Sequence, residues 1–222
     1  MAFEDIEGSR RVALMGGTFD PIHYAHLLIA EDVRRRFNLP QVLFVPSGDP
    51  PHKKDYEVSP AEDRYLMAVL ATADNPHFRV SRLEIDRGGP SYTVDTIRAL
   101  NHKLDDIGQL YFVTGADAIL DLGTWREPDA VLEEAQVVAV TRPGFDLGRL
   151  EAELGPERAA KVTVISAPAM DISSTQIRER IAQGLSVRYL TPKPVLEYIE
   201  KRGLYRPQTR KSAGGNNQAA TL

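Results

Sequence analysis

Two histidines near the N-terminus, His23 and His26, are spaced so that both side chains could bind one ligand. His23 and His26 are three residues apart and follow an apolar run that ends in Gly16 and Gly17. Residues at this spacing share one face of a helix, so both imidazoles can donate N–H groups to one anion. Glycines after a strand allow a sharp turn and a close approach of ligand to backbone, and a helix N-terminus favours phosphate. The pattern predicts a phosphate-binding loop between a strand and a helix.

Other interpretations of this loop remain open from the residues alone. The histidines could be metal ligands, but the chain has no cysteine and no third ligand stands nearby in sequence, so we predict no metal site. They could be surface residues, and the glycines could form an ordinary tight turn. The glycine spacing matches neither G-x-G-x-x-G nor a P-loop, which disfavours a dinucleotide dehydrogenase or a P-loop NTPase.

The elements that must position these residues alternate along the chain. Apolar, β-branched runs predict strands over residues 10–15, 41–46, 78–85, 109–115, 136–142 and 161–167. Helical spacing predicts helices over residues 23–37, 59–73, 91–104, 116–125, 127–135, 173–184 and 193–203. Alternation of this kind is typical of an α/β fold. We predict a doubly wound, Rossmann-like open parallel sheet with helices on both faces and a C-terminal helical portion.

Composition sets the remaining bounds. The 222 residues, with 42% hydrophobic and 26% charged side chains, suit a single domain, which we place at 11–206. No apolar run is long enough for a bilayer, and no signal peptide is recognisable. The absence of cysteine makes a reducing cytoplasm the expected compartment. A net charge of −4 argues against a nucleic-acid binder. Residues 207–222 are polar and low in complexity, which predicts a disordered tail.

Two helix starts match the capping-box pattern, Ser59 with Glu62 and Ser173 with Gln176. The second start also places Arg178 about one turn into its helix, where a guanidinium can bind phosphate oxygens. A capping serine and a solvent-facing arginine are common in any helix. Taken alone, the segment favours that ordinary interpretation; taken with the first loop, it favours phosphate binding.

Several stretches together resemble one protein family. Residues 16–26, GGTFDPIHYAH, resemble the first signature of the nucleotidyltransferases, G-G-T-F-D-P-x-H-x-G-H, and residues 172–178, ISSTQIR, resemble the second, I-S-S-T-x-I-R. The stretches VPSGDPPHKK, GGPSYTVDTI, TGADAILDLGTW and VVAVTRPG are similar to bacterial nicotinate-nucleotide adenylyltransferases. The resemblance spans about residues 11–206. Ala25 departs from it, because the family usually has Gly there, and we expect a small adjustment of ATP position.

The resemblance implies a reaction and its partners. Nicotinate mononucleotide attacks the α-phosphate of ATP, which gives nicotinate adenine dinucleotide and pyrophosphate, a step of NAD biosynthesis. The implied partners are these small molecules, with no nucleic acid and no membrane. Mg²⁺ is expected to enter with ATP, and we assign no protein residue as its ligand. A phosphate monoester is already anionic, so positioning and charge stabilisation are the expected work of the protein.

The resemblance also assigns residues to roles. His23, His26 and Arg178 are the implied catalytic residues. The implied ATP-binding residues are Gly16, Gly17, Thr18, Phe19, Gly115, Asp117, Ile172, Ser173, Ser174 and Thr175. The implied nicotinate mononucleotide-binding residues are Lys53, Tyr92, Thr93 and Trp125.

Each of these assignments has a plain alternative. Asp117 is equally well placed as a helix N-cap, Trp125 as a core residue and Lys53 as part of a solvated basic loop. Asp20 is predicted to stabilise a turn. At the level of function, the alternatives are a related transferase that uses a phosphopantetheine or alcohol-phosphate acceptor, and a nucleotide sensor without turnover.

Overall fold

The structure is a computed structural model that describes residues 11–50, 58–103, 109–141, 146–168 and 170–207. Lys53 and residues 208–222 lie outside the described residues. One parallel sheet contains six strands in the order β3-β2-β1-β4-β5-β6. The strands are β1 (Arg11–Gly17), β2 (Gln41–Pro46), β3 (Phe78–Val80), β4 (Gln109–Gly115), β5 (Gln136–Thr141) and β6 (Val162–Ser166).

Helices connect the strands and cover both faces of the sheet. They are α1 (Tyr24–Arg36), α2 (Ala61–Thr72), α3 (Leu83–Arg87), α4 (Thr93–Asn101), α5 (Ala116–Leu120), α6 (Pro128–Glu134), α7 (Leu147–Leu154), α8 (Pro156–Ala159), α9 (Ser174–Ala182) and α10 (Lys193–Arg202). A short 3-10 helix spans Leu122–Thr124. None of the described helices is long and apolar enough to cross a membrane.

The strand order reverses beside β1. The chain builds outward from β1 to β2 and β3 on one side, then returns to place β4, β5 and β6 on the other. Leu14 pairs with Leu43 of β2 and with Phe112 of β4, so β1 is fully flanked. Ligands of such sheets bind outside the carboxyl ends of the strands, at this reversal. The predicted doubly wound parallel fold is confirmed.

Two apolar cores sandwich the sheet because alternate strand residues point to opposite faces. On one face, Leu14 and Phe112 pack with Ile97 of α4 and Leu132 of α6. On the other, a second cluster includes buried residues from strands and from α1, α2 and α10: Ala13, Phe44, Tyr111, Val33, Met67, Val195 and Ile199. The last helices therefore belong to the main body, as the single-domain prediction requires.

The prediction for β3 was wrong beyond Val80. The chain leaves the sheet there and forms α3 instead of extending to residue 85. Two polar interactions explain the turn: Ser81 Oγ accepts a hydrogen bond from the Leu83 amide at 3.1 Å, and Arg82 pairs with Asp86 at 3.0 Å, four residues on. Local side-chain bonds of this kind compete with a strand ladder.

Two further details differ from expectation. Helix α2 begins at Ala61, with Pro60 at the N-cap position and no side-chain cap, so the predicted capping box at Ser59 was wrong. The Ser59 backbone is engaged elsewhere, since its amide donates to Asp20 Oδ2 at 3.3 Å. Helices α7 and α8 occupy a stretch for which the sequence analysis predicts no element.

Candidate active site

A cleft of about 830 Å³ opens at the carboxyl ends of β1, β4 and β5. It lies at the reversal of strand order, where an α/β sheet binds its ligand. All thirteen predicted catalytic and ATP-binding residues line it: Gly16, Gly17, Thr18, Phe19, His23, His26, Gly115, Asp117, Ile172, Ser173, Ser174, Thr175 and Arg178. The fold thus brings together residues that are more than 150 positions apart in the sequence.

The two histidines stack on each other at the start of α1. Their ring centroids are 3.7 Å apart and the rings are inclined by 21°. His23 occupies the N-cap position, and its backbone N–H donates to Nδ1 of His26 at 3.2 Å. Phe19 packs edge-on against His26, with 5.1 Å between ring centroids. His26 therefore has a fixed orientation before any ligand arrives.

This packing also determines the protonation of His26. Burial lowers the pKa of His26 well below 6.5, and the neighbouring His23 lowers it further. Near neutral pH the ring is therefore uncharged. Since Nδ1 accepts a hydrogen bond, the proton of the neutral ring is on Nε2. His26 thus presents an N–H donor of defined direction instead of a diffuse positive charge.

The glycines of the site fall into two classes. A Cβ on Gly17 would lie 2.9 Å from the Phe19 ring, so the packing of the loop itself requires glycine there. A Cβ on Gly16 would come no closer than 4.0 Å to Phe112, and one on Gly115 would meet no atom within 4 Å. Both of these glycines line the cleft. Their missing side chains leave space for a ligand beside the backbone.

The N-terminus of α9 is fastened to the loop that precedes α1. Ser173 caps α9 by accepting a hydrogen bond from the Gln176 amide at 3.1 Å, as predicted. Ser174 Oγ donates to the carbonyl of Pro21 at 2.8 Å, and Arg178 donates to the carbonyl of Asp20 at 2.8 Å. The two signature segments therefore form one continuous wall of the cleft.

Asp20 is a buried junction beneath this wall. Its side chain is 1% exposed, and its Oδ1 accepts a hydrogen bond from the Tyr205 hydroxyl at 2.6 Å. Burial and the Asp20 carboxylate raise the pKa of Tyr205, which keeps this hydroxyl protonated. The Asp20 side chain thus ties its turn to Ser59, whose amide donates to Oδ2, and to Tyr205 near the end of the described chain. Tyr205 carried no sequence signal for this role.

Ala25 lines the cleft and also packs away from it. Together with Ile172, Ile177 and Val187 it forms a small buried cluster between α1 and α9. The methyl group that distinguishes Ala25 from glycine therefore adds apolar contact where the two signature segments meet.

The described residues that were predicted to bind the acceptor lie outside the lining of this cleft, farther along the edge of the sheet. Tyr92 and Thr93 form the start of α4, and Trp125 follows the 3-10 helix, half-buried and edge-on to Phe112. Arg126 joins these segments, since its guanidinium lies 5.0 Å from the centroid of the Tyr92 ring. The structure thus brings Tyr92, Thr93 and Trp125 to one side of the sheet edge.

The loop after β2 meets the same region. Asp49 bridges to Pro90, and the Ser91 amide donates to the Asp49 carbonyl at 2.9 Å. Ser91 Oγ accepts hydrogen bonds from the amides of Gly48 and Asp49 at 3.0 and 3.3 Å. The two stretches that the resemblance relates to the acceptor are therefore in contact. Ser91, which the sequence analysis did not single out, makes the junction.

Several positions in the cleft differ from simple expectation. Gly115 occupies the N-cap position of α5, so Asp117 is not the cap of that helix. Asp117 is exposed and faces the cleft from the first turn. Asp146 and Arg149 of the α7 region also line the cleft. The leucine spacing of residues 147–154 and the Gly155 that follows them are the signal that could have identified this helix.

The chain's own donors do not assemble a separate metal site in the part that the structure describes. Among those residues, no group of three His, Cys, Asp or Glu side chains is arranged to hold an ion. A hard cation such as Mg²⁺ prefers oxygen ligands and retains several waters.

Comparisons with known proteins agree with this geometry. Residues 14–180 match the family model described as cytidylyltransferase-like. A probable nicotinate-nucleotide adenylyltransferase of Moorella thermoacetica is 55% identical over 201 residues, which cover 89% of this chain and 93% of the relative. The similarly named protein of Corynebacterium glutamicum is 51% identical over 199 residues, 89% of each chain.

Solved structures are similar in fold. Plasmodium falciparum nicotinic acid mononucleotide adenylyltransferase complexed with NaAD superposes with a TM-score of 0.72 at 19% identity, over 88% of this chain and 97% of that one. The same enzyme complexed with APC gives a TM-score of 0.71. The fold, the paired signature segments and the near full-length sequence identity converge, and the chain belongs to the nicotinate-nucleotide adenylyltransferase family of cytidylyltransferase-like proteins.

Proposed function

We propose that this protein transfers the adenylyl group of ATP to nicotinate mononucleotide, forming nicotinate adenine dinucleotide and releasing pyrophosphate. The 5′-phosphate of the mononucleotide attacks the α-phosphorus of ATP in line with the departing pyrophosphate. One P–O bond forms and one breaks, and no covalent enzyme intermediate is needed. The alternatives with other acceptors are not favoured, because relatives at 55% and 51% identity carry this name.

The observation that carries the proposal is the fastening of the second signature to the first. Ser174 and Arg178 donate hydrogen bonds to two adjacent carbonyls, those of Pro21 and Asp20. Consequently, the N-termini of α1 and α9 are held at one cleft. Each N-terminus supplies backbone N–H groups and a partial positive charge. A triphosphate is the ligand that such a double anion site suits.

The chain contributes positioning and charge stabilisation. We assign the triphosphate to the wall formed by His23, His26 and Arg178, and the sugar and base to the side of Gly115 and Asp117. Neutral His26 donates through Nε2 to an oxygen whose negative charge grows during the transfer. Preorganised donors of this kind stabilise a transition state more than a ground state. No general base is required, because the attacking phosphate is already ionised.

The acceptor occupies the adjoining region in this proposal. Trp125 offers a half-exposed aromatic surface for the pyridine ring, and the first turn of α4, from Thr93, offers backbone N–H groups to the carboxylate. Helix α4 has no side-chain cap, so the free N–H groups of its first turn are left to bind a ligand or solvent. Lys53, which lies outside the described residues, is the proposed contact of the acceptor phosphate.

We also propose that Mg²⁺ enters the site with ATP. It would neutralise part of the triphosphate charge. No step is assigned to a protein-bound metal. A reducing cytoplasm remains our proposed compartment, on the ground that the chain contains no cysteine.

A product assay tests the function directly. The purified protein is mixed with ATP, Mg²⁺ and nicotinate mononucleotide, and nicotinate adenine dinucleotide is separated by chromatography while pyrophosphate is measured in parallel. Phosphopantetheine and glycerol phosphate serve as alternative acceptors. We expect equal amounts of the two products with the mononucleotide only. Nucleotide binding without either product would identify a sensor instead of an enzyme.

A further inference from the structure

Arg64 is a buried charge that the site described above does not use. It lies in the first turn of α2 and is 1% exposed. The N-terminus of a helix disfavours positive charge, and burial of a cation is costly unless it is well bonded. Neither helix stability nor solvation explains an arginine at this position. Its contacts show what it does instead.

The guanidinium of Arg64 binds three backbone carbonyls from three separate segments. Nη1 donates to Thr18 O at 2.9 Å, Nη2 to Gly48 O at 3.0 Å, and Nε to Ser59 O at 2.9 Å. Thr18 belongs to the loop between β1 and the histidine pair. Gly48 belongs to the loop after β2, and Ser59 precedes α2. One planar group therefore links the ATP side of the site to the acceptor side.

Gly48 is held from several directions, which makes this link stiff. Its carbonyl accepts from Arg64, while its amide donates to Ser91 Oγ at 3.0 Å. A Cβ at this position would lie 2.6 Å from the carbonyl oxygen of Glu84, so the backbone of the loop rests directly on α3. Any displacement of Gly48 must therefore disturb Arg64, Ser91 or the start of α3.

A buried carboxylate accompanies the buried guanidinium. Glu84 is 6% exposed and accepts a hydrogen bond from Thr96 Oγ1 at 2.6 Å. Burial raises the pKa of the Glu84 carboxyl, while the charges of Arg87 and Arg64 act to lower it. Glu84 thus interacts electrostatically with Arg64 from the α3 side, while Nε, Nη1 and Nη2 of Arg64 are directed at the three carbonyls.

We infer that Arg64 is a positioning residue that sets the distance between the ATP loop at Thr18 and the acceptor loop at Gly48. The inference rests on the proposed function, since the two loops matter together only if two substrates react across them. Arg64 touches neither substrate in this account. It acts through the backbone, and a misplacement of about 1 Å between reacting groups can cost ~10²-fold in rate.

The test separates positioning from folding. Arg64→Lys keeps the charge but loses the planar fork that reaches three carbonyls. We expect kcat with both substrates saturating to fall at least ~10-fold, while the Kd for ATP alone, measured by calorimetry, stays within ~3-fold of the unaltered protein. The calorimetric stoichiometry gives the folded fraction, to which each kcat is normalised.

Arg79→Lys is the matched control. Arg79 also donates to backbone carbonyls, those of Pro76 and Phe78 at 2.9 and 3.0 Å, but these carbonyls lie at the amino end of β3, away from the loops at the carboxyl ends of the strands. Its kcat and Kd should both remain unchanged. A role limited to stability would lower the folded fraction of Arg64→Lys without lowering the normalised kcat, and that result would overturn the inference.

Ser91→Ala provides an independent variant if Arg64→Lys does not fold. It removes the oxygen that holds the Gly48 and Asp49 amides, and we expect a lower normalised kcat with an unchanged Kd for ATP. In the double variant with Arg64→Lys, the fold-loss of kcat should be smaller than the product of the fold-losses of the two single variants, because both substitutions act on one loop. An unchanged kcat in Ser91→Ala, or independent effects in the double variant, would contradict the inference. No product from the unaltered chain would contradict the proposed function itself.

Discussion

His26 is held between His23 and Phe19 with its Nδ1 already occupied by a backbone N–H. Only Nε2 can then act toward a ligand, and the depressed pKa of the ring keeps it neutral. The arrangement matches a donor that strengthens as charge develops, not a fixed counter-ion for bound ATP. This difference has a kinetic consequence.

We predict that His26→Ala lowers kcat far more than it weakens ATP binding. Loss of one preorganised donor typically costs ~10²–10³-fold in rate. Steady-state kinetics gives kcat, and calorimetry gives the Kd for ATP. His102→Ala, an exposed histidine after α4, is the control and should behave as the unaltered protein. A folded His26→Ala protein with kcat within a few-fold of the control would remove His26 from the mechanism.

Gly115 permits a second test at the same scale. Its φ of −70° is accessible to any residue, and a Cβ there meets nothing within 4 Å. Gly115→Ala should therefore leave the melting temperature unchanged but raise KM for ATP, because the methyl group enters the cleft. Gly123→Ala, also with no atom within 4 Å of its Cβ and outside the cleft lining, should change neither. An unaltered KM in Gly115→Ala would place ATP elsewhere.

The placement of residues at the cleft was predictable from sequence only where a motif contains them. The histidine pair and Arg178 belong to recognisable signatures, and the fold brings them to one cleft. Arg64 and Tyr205 carry no such signal, because an arginine in an amphipathic helix and a tyrosine near the chain end look ordinary. Their partners are backbone carbonyls and a distant carboxylate, and contacts across 46 and 185 positions depend on the assembled fold.

At the scale of elements, α9 combines a structural cap with a proposed binding surface in one residue. Ser173 accepts from the Gln176 amide at 3.1 Å and lines the cleft. Substitution by alanine removes the cap, whereas substitution by aspartate retains a capping oxygen and suits the helix dipole. The two variants therefore separate helix stability from phosphate binding.

We predict that Ser173→Ala lowers the free energy of unfolding by about 1 kcal/mol with a modest effect on KM for ATP. Ser173→Asp should retain the stability but raise KM for ATP several-fold, because a carboxylate would face the triphosphate. Urea denaturation and initial-rate kinetics on both variants provide the two measurements. If Ser173→Asp bound ATP normally, the α9 N-terminus would not be a phosphate site.

Element predictions succeeded where a long periodic pattern determined the structure. The strands β1, β2, β4 and β5 lie within a residue or two of their predicted bounds, since continuous apolar runs suit a sheet covered on both faces. The strand prediction for residues 81–85 failed because Ser81 and the Arg82–Asp86 pair favour a helical turn over a continued strand. Short helices such as α8, with four residues, carry too little pattern to predict.

At the scale of the molecule, Tyr205 links the end of the described chain to the loop that precedes α1. The hydroxyl of this residue reaches Asp20 beneath the cleft, while α10 packs on α2, where Tyr198 donates to Asp63 at 2.6 Å. The segment from α10 to Tyr205 thus contacts both α2 and the loop that contains Asp20. How much of the C-terminus the enzyme needs follows from this contact.

We predict that a chain ending at Arg206 retains full activity and an unchanged melting temperature, because residues 207–222 contain little apolar surface that could pack. A chain ending at Leu204 should have lower activity and a lower melting temperature, since it lacks the Tyr205 hydroxyl and leaves the buried Asp20 carboxylate with one hydrogen bond fewer. Thermal denaturation and product assays compare the two truncations. A drop of several degrees for the longer one would show that the tail docks.

Substrate choice also depends on the whole molecule, because the proposed acceptor region is assembled from α4, the Trp125 segment and the loop after β2. Arg126 over Tyr92 and Ser91 on Gly48 hold these parts together. We predict a preference for nicotinate mononucleotide over its amide, which differs only in a carboxylate replaced by a carboxamide. Two N–H donors can both face a carboxylate, whereas the amide would present its NH₂ to one of them.

An unpaired buried donor costs about 1–3 kcal/mol, and we therefore expect at least ~10-fold discrimination in kcat/KM. The measurement is kcat/KM for both mononucleotides at saturating ATP and Mg²⁺. The Arg79→Lys control should preserve the ratio, because the Arg79 guanidinium donates to the carbonyls of Pro76 and Phe78, at the amino end of β3. Equal values for the two acceptors, or a preference for the amide, would contradict carboxylate recognition at this region while leaving adenylyl transfer intact.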